Sequence, residues 1–197
     1  MAAVERSEMS EAHTSETNVR QEAGTVEDEN PVRLDSDKAK QIVDALNTDL
    51  ATQYVVYHQL KKHHWDVEGA EFRDLHLFLE EAYDHIEEAA DEVAEHVTAL
   101  GGVPISGPAN QEEVSIVDFE GEDIYDVRTM LSNDLEAYGD LIETTREHVE
   151  LARNLGDHGT AELLSQQLIQ LEEDAHHFGH YLEDDTLVLE EATHAAD

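Results

Sequence analysis

The residues with the clearest chemical potential in this sequence are histidines and carboxylates spaced four positions apart. His76 is followed by Glu80, and Asp91 is followed by Glu95. On a helix, residues four apart lie on the same face, so each pair can present its donor atoms to one point. Imidazole and carboxylate donors together suit a divalent transition metal. The spacing therefore indicates metal binding along one long helix.

A single chain cannot close one site from both pairs. His76 and Asp91 are 15 residues apart, which is about 22 Å along an unbroken helix. If this helix meets its own copy antiparallel across a two-fold axis near residues 83–86, His76 faces the acids of the partner, and the symmetry builds two identical sites. His64 ends the preceding helical segment and can lie beside the start of this one. The chain holds 48 acidic residues, so a single pair of acids four residues apart usually belongs to a solvated helix face. Only the histidines and acids taken together indicate a metal site.

Four long segments must position these residues. Apolar residues recur at intervals of three and four over about 36–66, 70–100, 122–154 and from Gly156 to about 184. This period predicts four amphipathic helices, with Phe72 and Ile124 among the core-facing residues. The first and third links are short, whereas the link at 101–121 is long and includes a possible short helix near 109–114. The order of the helices and the lengths of their links predict an all-α fold, a ferritin-like four-helix bundle with one long crossover.

The charge of the chain is extreme, with 48 acidic and 11 basic residues and a net charge of −37. The carboxylates either handle cations or adapt the surface to a very salty cytosol, where the Debye length falls to about 3 Å at 1 M salt. The acids are spread along the whole chain, which favours the halophilic interpretation, although the two are compatible. The absence of cysteine excludes disulfides and thiol chemistry.

The ends of the chain differ from its centre. Through Asn30 the sequence holds eight acids and two arginines, so we expect a disordered acidic tail over 1–33, the bundle over 34–185 and a second tail over 186–197. The first 20 residues contain no apolar run, and no segment approaches 18 uncharged apolar residues. We therefore expect a cytoplasmic protein without a signal peptide or membrane span.

The motifs around the predicted ligands resemble those of the Dps family of mini-ferritins. The matching elements are Lys62-His63-His64-Trp65-Asp66-Val67-Glu68-Gly69, Leu75-His76, Asp91-Glu92-Val93-Ala94-Glu95 and Leu100-Gly101-Gly102-Val103-Pro104. They fall at the spacing of the family, with Asp66 where Asn is common, and the resemblance covers roughly residues 35–185.

The resemblance implies a homo-oligomeric shell of twelve subunits with 23 symmetry and ferroxidase sites at its two-fold interfaces. His64 and His76 of one chain and Asp91 and Glu95 of the other would be the ligands, with Glu80 at the acidic position of the family beside His76. It also implies Fe(II)/Fe(III) as the metal, hydrogen peroxide as the oxidant and ferric oxyhydroxide as the stored product.

Three further groups are candidates for metal handling. Exposed acids between the ligand pairs could nucleate mineral or simply be halophilic surface. A segment after the third helix resembles the family's three-fold iron pore, although its aspartate could equally cap the fourth helix. A histidine cluster near the end of the fourth helix could bind metal at another pore. These residues are, in turn, Asp84, Glu87 and Glu88; Asp157, His158 and Glu162; and His176, His177 and His180.

Other functions are possible. A di-metal site within one subunit would need Glu-x-x-His motifs on two helices, but Glu173 and His176 supply one, and the second helix has none. A nucleoid-binding DNA-protection role needs several cationic contacts to phosphates. The chain has four lysines, all in the first helix, and an acidic tail, so we do not expect DNA binding. A purely structural bundle is a third alternative.

Overall fold

The computed structural model describes residues 18–183, which form five helices and no β-strand. The helices are α1 Ser36–Asp66, α2 Phe72–Ala99, α3 Pro108–Val114, α4 Val127–Leu155 and α5 His158–Leu182. α1 packs with α2 and α4 with α5 as two hairpins, α1 also packs on α4 and α2 on α5, and α3 lies against α1. The predicted all-α bundle, with a short helix in its long crossover, is confirmed.

Two apolar clusters fill the bundle from end to end. One includes Leu60 and Phe178 near the α1–α2 turn, and the other includes Leu46 and Leu164 towards the opposite end. Fully burying one such side chain contributes about 1.5–3 kcal/mol. Because α2 buries its apolar stripe in both clusters, its opposite face, which carries the predicted ligands, stays largely uncovered in the single chain.

Aspartate side chains cap three of the long helices. Asp35, Asp126 and Asp157 each accept a hydrogen bond from the backbone N–H three residues later, at 3.4, 3.1 and 3.1 Å. The cap at Asp126 explains why α4 begins at Val127 and not near residue 122, since the capping residue itself has non-helical backbone. α4 ends at Leu155 and is capped by Gly156, whose φ of 84° is left-handed.

Two residues predicted for the core lie on the surface. Phe72 is 45% exposed and Ile124 is 73% exposed. Ile124 precedes the cap of α4, so the helical period that placed it in the core does not apply there. Phe72 is the first residue of α2 and stacks on His76, with ring centroids 5.1 Å apart. Both predictions were wrong because the apolar period was extended beyond the part of each helix that packs.

Residues 18–33 lie against the bundle, which corrects the predicted disorder of this part of the tail, while residues 1–17 lie outside the described residues. The backbone N–H of Glu27 donates to the carbonyl of Gly101 at 2.9 Å. Asn30 is buried, and its side chain makes two hydrogen bonds to the backbone of the residue four positions later. Low hydrophobicity predicted disorder, but hydrogen bonds from Glu27 and Gln21 to the carbonyl of Gly101 and the packing of Val26 on an apolar cluster hold this segment.

The described part of the bundle ends at residue 183. The predicted boundary at residue 185 and the C-terminal tail over 186–197 therefore lie outside the described residues. Among residues 18–183, no helix has the combination of length and apolar character needed to span a bilayer.

Within residues 18–183, three histidine–aspartate pairs join facing helices. In each pair a ring nitrogen lies 2.8 to 3.1 Å from a carboxylate oxygen, and the aspartate side chain is at most 3% exposed. Each buried carboxylate thus keeps a polar partner that offsets the cost of its burial. The pairs are His63–Asp134 and His148–Asp49 between α1 and α4, and His85–Asp174 between α2 and α5.

Candidate metal centre

The turn between α1 and α2 brings His64 and His76 together. Nδ1 of His64 lies 2.9 Å from the carbonyl oxygen of His76, and Nδ1 of His76 lies 2.9 Å from the carbonyl oxygen of His64. A carbonyl oxygen only accepts, so each Nδ1 must carry a proton and donate it. In the neutral rings, both Nε2 atoms therefore keep a lone pair for a metal ion.

Aromatic neighbours hold the two imidazole rings in place. The rings of His64 and His76 stack with centroids 3.7 Å apart and an interplanar angle of 19°. Tyr83 packs edge-on against His64 at 5.3 Å, and Phe72 covers His76 at 5.1 Å. Ligands fixed in this way lose little freedom when an ion binds. The packing thus fixes the orientation of both imidazole rings in the single chain.

The predicted carboxylates do not join the histidines within one chain. Asp91 and Glu95 are exposed on α2, and their carboxylates make no hydrogen bond or ion pair within the described residues. They follow His76 by four and five turns of an unbroken helix. Glu80 is half-buried one turn after His76. Among residues 18–183 of the single chain, no three His, Asp or Glu side chains gather in a position to hold a metal ion.

The remaining candidates fall in two groups. Asp84, Glu87 and Glu88 are exposed along α2 between the two ligand pairs. At the start of α5, the carboxylate of Asp157 accepts from the backbone N–H of Thr160, which is the capping role that the sequence left open. His158 and Glu162 follow it on the surface, and Glu162 accepts a hydrogen bond from Gln166 at 3.1 Å.

The histidine cluster at the end of α5 divides into a pair and a separate residue. Nε2 of His176 and Nε2 of His180 are 3.1 Å apart. The ring of His177 instead packs edge-on against Phe78 of α2 at 5.7 Å. The structure therefore brings together the first and third histidines of the cluster.

A buried polar network directly before His64 was not predicted. His63 is fully buried, with Nδ1 2.8 Å from Asp134 and Nε2 2.6 Å from Glu120. Lys62 and Asn133 also donate to Glu120. The network joins α1, α4 and the crossover, so it anchors the end of α1. One feature of the sequence could have indicated this network: Asp134 lies three residues after Leu131, on the predicted core face of the third helix, where an acid is unusual.

The charges of this network favour a doubly protonated His63. Burial alone would lower the pKa of His63, but the hydrogen bonds and charges of Asp134 and Glu120 outweigh burial and raise it. Burial would raise the pKa of Glu120, but hydrogen bonds from Lys62, Asn133 and His63 lower it. An imidazolium that donates to one carboxylate on each side satisfies both contacts.

Replacing His63 by glutamine is expected to lower the unfolding free energy by about 3–5 kcal/mol, because it leaves the buried carboxylate of Asp134 without its cation, while Glu120 keeps Lys62. The folded-state pKa of His63 lies above its usual 6.5, so its contribution is complete below that pH and is lost as the pH rises through the folded-state value. Thermal melting between pH 6 and 9 measures both effects.

His85→Gln is the control for this prediction. The side chain of His85 is 36% exposed, so its loss should lower the unfolding free energy by less. An equal decrease in both variants would contradict the structural role assigned to His63.

Comparison with known proteins identifies the family of the fold. The family model of the ferritin-like domain matches residues 43–188. The chain is 62% identical to the DNA protection during starvation protein of Halobacterium salinarum over 179 residues, which are 91% of this chain and 98% of that protein.

Two solved structures have a similar fold. The crystal structure of an archaeal Dps homologue from Halobacterium salinarum superposes with a TM-score of 0.87 at 61% identity, over 91% of this chain and 99% of that one. Dps from Vibrio cholerae O1, described as a member of a broad superfamily of ferritin-like diiron-carboxylate proteins, has a TM-score of 0.75 at 26% identity, over 81% of this chain and 99% of that one.

Proposed function

The chain belongs to the Dps family of ferritin-like proteins, and from this premise we propose that it is a ferroxidase that oxidises Fe(II) and stores the ferric product. The observation that carries the proposal is the pair of Nε2 lone pairs on His64 and His76, each fixed by a hydrogen bond from Nδ1 to the backbone of the other residue. Imidazole nitrogens combined with carboxylate oxygens suit Fe(II) and leave coordination positions open for an oxidant.

The carboxylate half of the site comes from a second subunit. Asp91 and Glu95 are exposed, unpaired within the described residues, and on the same long helix as His76. An antiparallel meeting of two α2 helices brings them to the histidines of the partner. Large apolar side chains next to the histidines are exposed: Phe72, which stacks on His76, is 45% exposed, and Trp65, which directly follows His64, is 68% exposed. Apolar surface of this kind is typical of a protein interface.

The reaction assigned to this site consumes hydrogen peroxide. Two Fe(II) ions each give one electron to one peroxide molecule, and with two protons the products are two Fe(III) ions and two water molecules. Paired one-electron donors complete the reduction, so hydroxyl radical is not released. Two imidazoles with few carboxylates hold Fe(III) weakly, which favours passage of the product to the cavity of the shell.

Storage and uptake of iron require acidic surfaces at other places. Asp84, Glu87 and Glu88 are assigned to nucleation of ferric oxyhydroxide, because they are exposed on α2 beside the site. At the start of α5, Asp157, His158 and Glu162 are assigned to a pore that attracts Fe(II) through its negative potential. Asp157 can serve both roles, since capping uses its oxygens without removing its charge.

The expected particle is a shell of twelve subunits in the cytoplasm of a cell with high internal salt. The net charge of −37 would cost compactness at low ionic strength, and salt screens that repulsion. The 62% identical relative from Halobacterium salinarum supports this interpretation of the acidic surface.

The proposed function is tested by the stoichiometry of the reaction together with the mass of the particle. Two Fe(II) ions should be oxidised per peroxide added, with little hydroxyl radical captured by a spin trap. The particle should have about twelve times the 22.1 kDa mass of one subunit. One Fe(II) per peroxide, accompanied by trapped hydroxyl radical, would contradict the paired mechanism.

The alternative function is that of a nucleoid-binding protein without a dominant iron role. The relative from Halobacterium salinarum is named a DNA protection during starvation protein, which favours this alternative. Our expectation against DNA binding therefore has no support from the comparisons and rests on charge. Each of the four lysines has an intramolecular partner: Leu155 for Lys38, Asp44 for Lys40, Tyr57 for Lys61 and Glu120 for Lys62. A gel shift at low salt with intact shells distinguishes the two, since retarded DNA would favour the alternative.

A further inference from the structure

The side chains of His176 and His180 converge on one point of the surface of α5. Their Nε2 atoms are 3.1 Å apart, and their ring centroids are 4.3 Å apart with the planes nearly perpendicular. Both residues are exposed. With no ion present, this distance requires one Nε2–H to donate to the lone pair of the other. The two Nε2 atoms thus face each other although both rings are exposed to solvent.

The distance matches the spacing of two donors on one metal ion. Zinc-like ions lie about 2.0–2.1 Å from an imidazole nitrogen. Two such donors at an angle of about 95° are about 3.1 Å apart, which agrees with the observed separation. Positions i and i+4 on a helix provide this arrangement without backbone movement. An ion can replace the shared proton after a change of tautomer in one ring.

The surroundings of the pair carry negative charge. His180 lines a pocket of about 640 Å³ between α5 and α2, and the α2 wall of this pocket includes Asp74 and Glu81. These carboxylates raise the local concentration of cations. Phe78 lies in the same wall, two residues after His76, so the pocket and His76 are on different faces of α2. The histidine pair is therefore separate from the proposed ferroxidase site.

We propose that His176 and His180 form a second metal site, which binds a divalent ion that prefers imidazole, such as Zn²⁺ or Ni²⁺. The protein supplies two nitrogen ligands, and water occupies the remaining positions. Two neutral imidazoles without a direct carboxylate ligand favour these borderline ions over Mg²⁺ or Ca²⁺, which take oxygen ligands. The site requires no iron oxidation and does not depend on the ferroxidase proposal.

The test uses Ni²⁺ alone with intact, iron-free shells in which His64→Ala and His76→Ala remove the other histidine pair. Calorimetric titration should show one Ni²⁺ site per subunit in this parent. Adding His180→Asn should weaken its affinity by about tenfold or more. His177→Asn is the matched control, because it removes the neighbouring imidazole, which packs on Phe78, and should leave the affinity unchanged.

A second variant and a spectroscopic measurement make the result independent of folding defects. His176→Asn should weaken binding as His180→Asn does, since either change leaves a single nitrogen. In the parent, Cu²⁺ should show electron paramagnetic resonance couplings from two imidazole nitrogens, and these should be lost in both variants. Absence of the Ni²⁺ site in the parent, or equal affinity in parent and His180→Asn shells, would overturn the proposal.

Discussion

Shells that carry His64→Ala together with His76→Ala are expected to oxidise Fe(II) with hydrogen peroxide on the order of 100-fold more slowly than the unchanged protein, because even outer-shell changes at metal sites cost about 10–100-fold. Both substitutions remove an Nε2 donor that the structure holds ready for an ion. Stopped-flow absorbance of ferric product gives the initial rate.

The loss should reflect the ligands and not a damaged fold. His58→Ala is the matched control, because this exposed histidine lies on α1 six residues before His64 and makes no hydrogen bond within the described residues. The particle mass should be the same in all three proteins. An unchanged oxidation rate in an intact shell of the double variant would reject the assigned site.

Asp91→Asn together with Glu95→Gln should reduce the same rate to a similar extent. In its own chain Asp91 lies about 22 Å along α2 from His76, so a site closed within one subunit would not respond to this change. In a shared site, the variant removes the carboxylate ligands of the partner and leaves only His64, His76 and Glu80 of one chain near each ion.

A control for this pair must remove the same charge at the same spacing. Glu143→Gln with Glu147→Gln does so, because both residues are exposed on α4 four positions apart. This control should keep the oxidation rate of the unchanged protein. If the two double variants slowed oxidation equally, the effect would be one of overall charge, and the ligand assignment of Asp91 and Glu95 would fail.

Local periodicity was enough to predict the helices, but it did not predict their ends or the contacts between distant segments. Gly156 ended the third predicted helix correctly because a left-handed glycine is a local signal. Ile124 was misplaced because the cap at Asp126 lies two residues after it. Residues 18–33 were misjudged because their hydrogen bonds reach Gly101, which is distant in sequence.

The same distinction applies to the candidate site. The position of His64 beside His76 followed from one short turn, which a sequence shows. The exchange of hydrogen bonds between the two rings and the opposite backbones did not, since it depends on the angle between α1 and α2. The His63 network also joins residues about 70 positions apart, such as Asp134, and periodicity carries no information on such pairs.

The most direct test of a site shared between two subunits uses shells assembled from equal amounts of both inactive variants. Where a His64→Ala/His76→Ala subunit meets an Asp91→Asn/Glu95→Gln subunit, one of the two sites across the two-fold axis regains all of its ligands. Random mixing should therefore restore about one quarter of the oxidation rate of the unchanged protein. Mixed shells as inactive as either variant alone would contradict a site completed by the neighbouring subunit.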